Sequence, residues 1–223
     1  MIRRLSLRAP RLVLVASLAA SMLAATAARA AGMPYHDGDA VVVTGIVTDA
    51  AGHPLPGTTV VLEGARAGFS VRSLSRETHD AERVSAVTNA RGEYSLTWKW
   101  ADYYNHFELQ VGDPYKRAGG AAAFLVVDQQ DLTPRLRGGS PVIAAVTVRD
   151  TAPLVALRAF VAGLQTPDAR AVYDAMGRPE QIDRLVLPNG LEETWWYFGA
   201  GKSYRFRDGK QLAVTAFDPV ERF

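Results

Sequence analysis

The 223-residue chain has no cysteine and only four histidines. Without cysteine there are no disulfides, no thiolate nucleophile, no thiolate metal site and no lipid anchored through sulfur. His36, His53, His79 and His106 are scattered. They show neither H-x-H nor H-E-x-x-H spacing, so zinc has no ligand set. No serine sits in a G-x-S-x-G context, the setting of a nucleophile elbow. The pairs Asp37/Asp39 and Asp128/Asp131 lie outside any D-x-[DN]-x-[DN]-G loop and read as solvated turn carboxylates. The sequence is therefore read as that of a non-enzymatic protein with no cofactor and no metal.

Acidic residues are missing from the first 30 positions, which hold five arginines. Arg3, Arg4, Arg8 and Arg11 precede an apolar run over 12–25, and Ala28-Arg29-Ala30 follows. This is the layout of a secretory signal peptide with an A-x-A site, cleaved after Ala30. The run is Ala-rich and broken by Ser17 and Ser21, short of the ~20 apolar residues a membrane span needs. The expected location is periplasmic or secreted, with no transmembrane span in the mature chain. Of the 25 basic side chains, 20 then remain against 23 acids. The basic character belongs to the leader, and a nucleic-acid partner loses its electrostatic footprint.

Long helical periods are also missing from the first two-thirds of the chain. "AVVVTGIVTDAAGHPLPGTTVVLEG" reads as strand, turn, strand: β-branched runs flank Gly52, Pro54, Pro56 and Gly57. "AVTNARGEYSLTW" repeats the logic around Asn89 and Gly92, and short β-like runs follow at 106–111, 121–127 and 142–148. Many short strands separated by turn signals indicate an all-β sandwich. The charged segment 65–85 is longer than a tight hairpin needs and reads as a solvated excursion or a contact surface.

Gly45, Val47, Asp49, Gly52, Pro54, Leu55, Pro56 and Gly57, then Thr88, Gly92 and Tyr94, resemble the G-x-V-x-D-x-x-G-x-P-L-P-G and T-x-x-x-G-x-Y/F pattern of the carboxypeptidase regulatory-like domain. That resemblance implies a prealbumin-like (transthyretin-like) seven-stranded sandwich over 39–150, behind a linker at 31–38. It also implies an accessory role in exported proteins.

After Asp150 the period changes. Leu154, Leu157, Val161 and Leu164 recur at helical spacing. A second helix is punctuated by Thr166 as N-cap, Pro167 and Asp168 in its first turn, and Gly177 and Pro179 after its end. Three β-like runs at 193–198, 202–207 and 211–217 complete the expected layout of two helices and a three-stranded antiparallel meander. Met176, Gly177 and Pro179, then Trp195 and Tyr197, then Phe206, Asp208, Gly209 and, one residue further on than usual, Leu212 resemble the SmpA/OmlA or BamE-like fold. The fold class is thus two domains: the β-sandwich, then a small α+β domain over 151–223. Members of that second family assist outer-membrane β-barrel assembly or bind other envelope proteins, so the resemblance implies an envelope-protein partner.

The candidate binding residues are aromatic. Trp98 and Trp100 share one strand face, with Tyr103 and Tyr104 beyond the strand end. Exposed, such a row stacks on sugar rings or an extended peptide; buried, it is the inner face of a sandwich. A glycan is accordingly the alternative partner. In "ETWWYF", Trp195 and Tyr197 fall on one face and Trp196 and Phe198 on the other, and a helix-covered sheet buries only one of them fully. Trp196 therefore joins the candidates as a tryptophan that could face outward.

Overall fold

The computed structural model describes residues 34–70, 75–139 and 141–220. The expected signal peptide and its cleavage site lie outside the described residues. From residue 31 onward the chain is one compact unit. Its described residues are mostly β and form three sheets and three helices.

Strand β1 (Ala40–Asp49) pairs antiparallel with β4 (Glu93–Lys99) and parallel with two short strands, β7 (Val142–Ile143) and β8 (Val146–Val148). The interruption at Ala144 has a local cause. Its carbonyl accepts a 2.6 Å hydrogen bond from the buried Tyr94 hydroxyl, and a Cβ on Gly45 would stand 1.9 Å from that oxygen. Only glycine lets β1 pass the turned carbonyl.

A second sheet has the order β3-β2-β5-β6, formed by Ser75–Val87, Thr59–Ser70, His106–Lys116 and Ala122–Asp131, all antiparallel. Period-2 alternation sends Val41, Val43, Leu96, Trp98, Val60, Leu62, Phe107 and Leu109 into one shared core. Helix α1 (Thr133–Arg137), which the sequence reading missed, adds the fully buried Leu136 to that core, next to Leu132.

The segment 65–85 departs from its expected reading. Its described part is strand, continuing β2 and forming most of β3. The register shifts where Ala65 opposes Ala81 and Arg66 opposes His79. Asp80 is the extra residue of this bulge, held at φ +45°, a rarely occupied region for a non-glycine.

A second core follows. Helix α2 (Ala152–Ala162) packs Phe160 and Val161 against it while burying Leu154 and Leu157 outside it, and helix α3 (Pro167–Met176) buries Ala169, Val172 and Tyr173 in it. The cap of α3 is as expected: Thr166 Oγ1 accepts from Ala169 N, and Asp168 lies in the first turn. Thr166 also donates to the Gly209 carbonyl at 2.6 Å, and Asp168 accepts from Gln211 N at 2.9 Å. The helix start is thereby tied to a turn of the sheet it covers.

That sheet has four strands rather than three: β9 (Gln181–Leu187), β10 (Gly190–Tyr197), β11 (Lys202–Arg207) and β12 (Lys210–Ala216), in the order β12-β11-β10-β9. Trp195, Tyr197 and Phe206 point into the helices with Leu164 and Tyr173. On β12, Ala213 opposes Arg205 but Gln211 opposes Phe206, so Leu212 is an inserted bulge residue.

The β5–β6 hairpin links the two cores. Its turn, Arg117 N to Ala121 O, abuts α3: Lys116 N donates to the Tyr173 hydroxyl, Arg178 N to Lys116 O, and Gly120 N to Met176 O. Arg158 of α2 reaches back to Asp113 of β5.

Candidate functional site

The predicted aromatic row divides. Trp98 is 1% exposed and meets Tyr104 and Phe107 edge-on at 5.6 and 5.8 Å. Trp100 is 7% exposed, stacks on Phe107 at 5.2 Å and donates Nε1–H to Asp102 Oδ1 at 2.7 Å. Both are core residues, as alternation on a sandwich strand favours, and neither ring offers a face to a sugar.

Tyr103, past the strand end, is 48% exposed. Arg66 lies 5.5 Å over its ring. Its hydroxyl donates to Asp80 at 2.5 Å, and that of Tyr104 to Glu82 at 3.1 Å. The hydrogen bond to Asp80 holds the Tyr103 hydroxyl above its ordinary pKa; for Tyr104, burial raises it first and the Glu82 bond second. Beside them Asp37, Glu82, Lys99 and Trp100 line a groove of about 500 Å³. The bulge at Asp80 aims a carboxylate at this rim, which the sequence did not reveal.

Trp196 is half-buried on the sheet face away from the helices. It stacks nearly parallel to Phe198 at 5.8 Å, lies 5.9 Å from Phe217, and donates to Asp183 Oδ2 at 2.7 Å. Of the two adjacent tryptophans, Trp195 is the core residue, at 3% exposure.

A second groove lies elsewhere, between α2 and the β9–β10 hairpin, at about 410 Å³. The small residues Ala156, Ala159 and Gly163 leave space along the helix, while Phe160, Ile182 and Trp195 supply an apolar floor. Arg178 and Arg184 stand at its sides. Arg184 Nε donates to Glu193 at 2.7 Å, whereas the Arg178 guanidinium has no side-chain partner among the described residues. Outward along the same face, paired Val186 and Leu191 are 82% and 37% exposed, and Leu185 on the other face is 57% exposed.

The backbone of β9 is open on one side. Leu191 exchanges hydrogen bonds with Asp208, Asp208 N donating to its carbonyl and Leu191 N to Asp208 Oδ1. Its polar groups therefore face β11. In an antiparallel ladder these directions alternate, so Gly190, Glu192, Thr194 and Trp196 face β9 and pair with Leu187, Leu185, Asp183 and Gln181. The N–H and C=O of Ile182, Arg184 and Val186 consequently point away from the sheet, where no strand follows among the described residues. Pro188, Asn189 and Gly190 mark this hairpin in the sequence, a turn signal that could have revealed β9.

Among the described residues, no group of three or more His, Asp or Glu side chains is placed to hold a metal ion. His53 Nδ1 lies 3.1 Å from Asp49 in a turn. His106 Nδ1 lies 3.4 Å from Thr133 Oγ1, which already accepts from Phe107 N. Among the described residues, no helix is long and apolar enough to cross a membrane.

No known family matches the chain, and no curated protein matches it in sequence. Among solved structures, part of it is similar to a 9R-lipoxygenase from Cyanothece PCC8801. Identity is 12%, over 49% of this chain and 16% of that one, with a TM-score of 0.32. So low a score carries no argument about fold or activity.

Proposed function

We propose that the chain is an exported, non-enzymatic accessory protein of a bacterial envelope that acts by binding another envelope protein. In this reading 39–150 is a carboxypeptidase regulatory-like sandwich and 151–223 a BamE-like unit. The leader-like N-terminal sequence supports export. The strand grouping supports the first resemblance, since β7 and β8 counted as one interrupted strand make seven strands in two sheets. The bulge at Leu212 supports the second, because it accommodates the residue by which this sequence exceeds the usual spacing.

The observation that carries a binding role is the groove between α2 and the β9–β10 hairpin, apolar on its floor and continued by exposed Val186 and Leu191. Contiguous exposed apolar surface marks interaction sites. The test is affinity capture from envelope extract at physiological salt, repeated with Val186→Asp/Leu191→Asp. A specific envelope protein retained by the wild type and lost from the double variant supports the reading; recovery of none overturns it.

A second reading is favoured by Tyr103, which stays exposed above a groove edged by carboxylates and Lys99. Aromatic faces beside fixed polar groups suit a sugar ring. A glycan array tests it with Tyr103→Ala, since Trp100→Ala would disturb the core instead. Binding unchanged by Tyr103→Ala, or no binding, rejects it.

A further inference from the structure

We infer that β9 is a strand-addition site, at which an extended segment of a partner protein pairs with the open edge and lays alternate side chains into the α2 groove. This deepens the protein-binding reading and rests on it. Three backbone pairs, at Ile182, Arg184 and Val186, point outward from an edge on which no further strand pairs among the described residues. Natural sheets usually blunt such edges with Pro, Lys or a bulge. β9 contains none of these: its sequence is QIDRLVL and its register with β10 is unbroken. Its two charged side chains are each engaged by a neighbour within the sheet, Arg184 by Glu193 and Asp183 by Trp196.

The chemistry of the occupant follows from the face. A strand antiparallel to β9 sets residues directly opposite Ile182, Arg184 and Val186, with their side chains on the groove side. Ile182 and Val186 call for apolar residues. Arg184 and Arg178 against the single Glu193 leave surplus positive charge, which calls for a carboxylate between them. The pattern is apolar-x-acidic-x-apolar, main-chain pairing giving affinity and the alternate side chains giving selectivity. A second copy of this chain fits less well. The two-fold register that uses all three outward pairs places Arg184 opposite Arg184 of the other copy, a repulsive cross-strand pair.

The probe is the capped peptide acetyl-KTVTETVTK-amide, compared with its Glu→Lys version, titrated against the purified protein by NMR. The expected result is saturable binding, with slowed amide exchange at Ile182, Arg184 and Val186 but not at Asp183 or Leu185, whose amides already pair with β10. The Glu→Lys peptide should bind at least tenfold more weakly. Val186→Pro removes one outward N–H without touching the ladder to β10 and should also weaken binding at least tenfold. Wild-type affinity in a folded Val186→Pro overturns the inference. So does a footprint elsewhere, no saturation at about 1 mM peptide, or a β9-paired dimer in sedimentation. Envelope-extract capture that still succeeds alongside any of these leaves the broader reading standing.

Discussion

Arg158 of α2 grips Asp113 of β5 with two hydrogen bonds, Nε to Oδ2 at 2.6 Å and Nη2 to Oδ1 at 3.2 Å, while Nη2 also donates to Thr58 Oγ1 at 2.9 Å. The Asp113 side chain is only 14% exposed and that of Arg158 35%. Removing one partner of such a pair strands the other charge in a partly dry site. Arg158→Ala should cost about 2 kcal/mol, less than a fully buried pair would because solvent reaches the arginine. Urea unfolding checks this. A loss below about 0.5 kcal/mol would place Arg158 among ordinary surface ion pairs.

Thr166 and Gly209 should be coupled. Thr166→Ala removes both the cap of α3 and the bond to the Gly209 carbonyl, an expected loss of about 1–2 kcal/mol. Gly209→Ala places a methyl 2.5 Å from Thr166 Cγ2 at φ +75°. In the double variant that clash is gone while the backbone strain remains, so the combined loss should fall short of the sum of the singles. Strict additivity would deny the contact.

Trp98 and Tyr103, five positions apart, should behave oppositely. Trp98→Ala empties a site in the shared core and should cost about 3–5 kcal/mol. Tyr103→Phe loses only a rim hydrogen bond to Asp80 and should leave the thermal midpoint nearly unchanged.

Two buried tyrosines should resist ionisation. Burial pushes the Tyr94 and Tyr197 hydroxyls far above the ordinary value of 10.0, and each donates to a carbonyl, Ala144 O and Gly177 O. Their folded pKa values are raised, so their contribution is full below pH 10. It is lost progressively above that, as the unfolded chain ionises and the folded one does not. Absorbance at alkaline pH should find these two of the eight tyrosines ionising only as the protein unfolds. Tyr94→Phe should flatten the alkaline loss of stability.

At the acid end the sign reverses. Asp49 is held below 3.8 first by the His53 backbone N–H, and Asp131 first by the Thr133 hydrogen bonds. Their contributions are present above the ordinary carboxylate pKa and disappear as pH falls through the lowered values. Asp131→Asn should therefore make the thermal midpoint less pH-dependent below about pH 4, which a melting series from neutral to acid pH measures.

Much of the fold could be read from the sequence because its signals are local. β1 and β4 alternate, α3 carries a complete set of cap and stop residues, and alternation puts Trp195 and Tyr197 on one face and Trp196 on the other, leaving to the structure which face is the core. What escaped was structure whose partners lie far away. β3 is rich in Arg, Glu, His and Asp because it is an edge strand, and among its described side chains Val84 and Ala86 pack on the core. β9 mixes polar and apolar residues since its outer half is exposed. α1, at five residues, is too short to show a period. The candidate groove was invisible for a related reason: its apolar floor comes from α2, β9 and β10 together, and its space from residues that are small rather than distinctive.

The parallel pairing of β1 with β8 also governs how the chain reaches this state. Thr48 meets Thr147 across 99 positions of sequence, and between them lie every strand of the second sheet and the whole of α1. As the chain emerges from its N-terminus, β1 can join β4 early but must wait for the entire sandwich sequence before its other edge closes. Contacts of such separation slow folding, and until closure that edge stays exposed to any neighbouring strand. The last-arriving strand therefore sets the pace at which the first becomes safe.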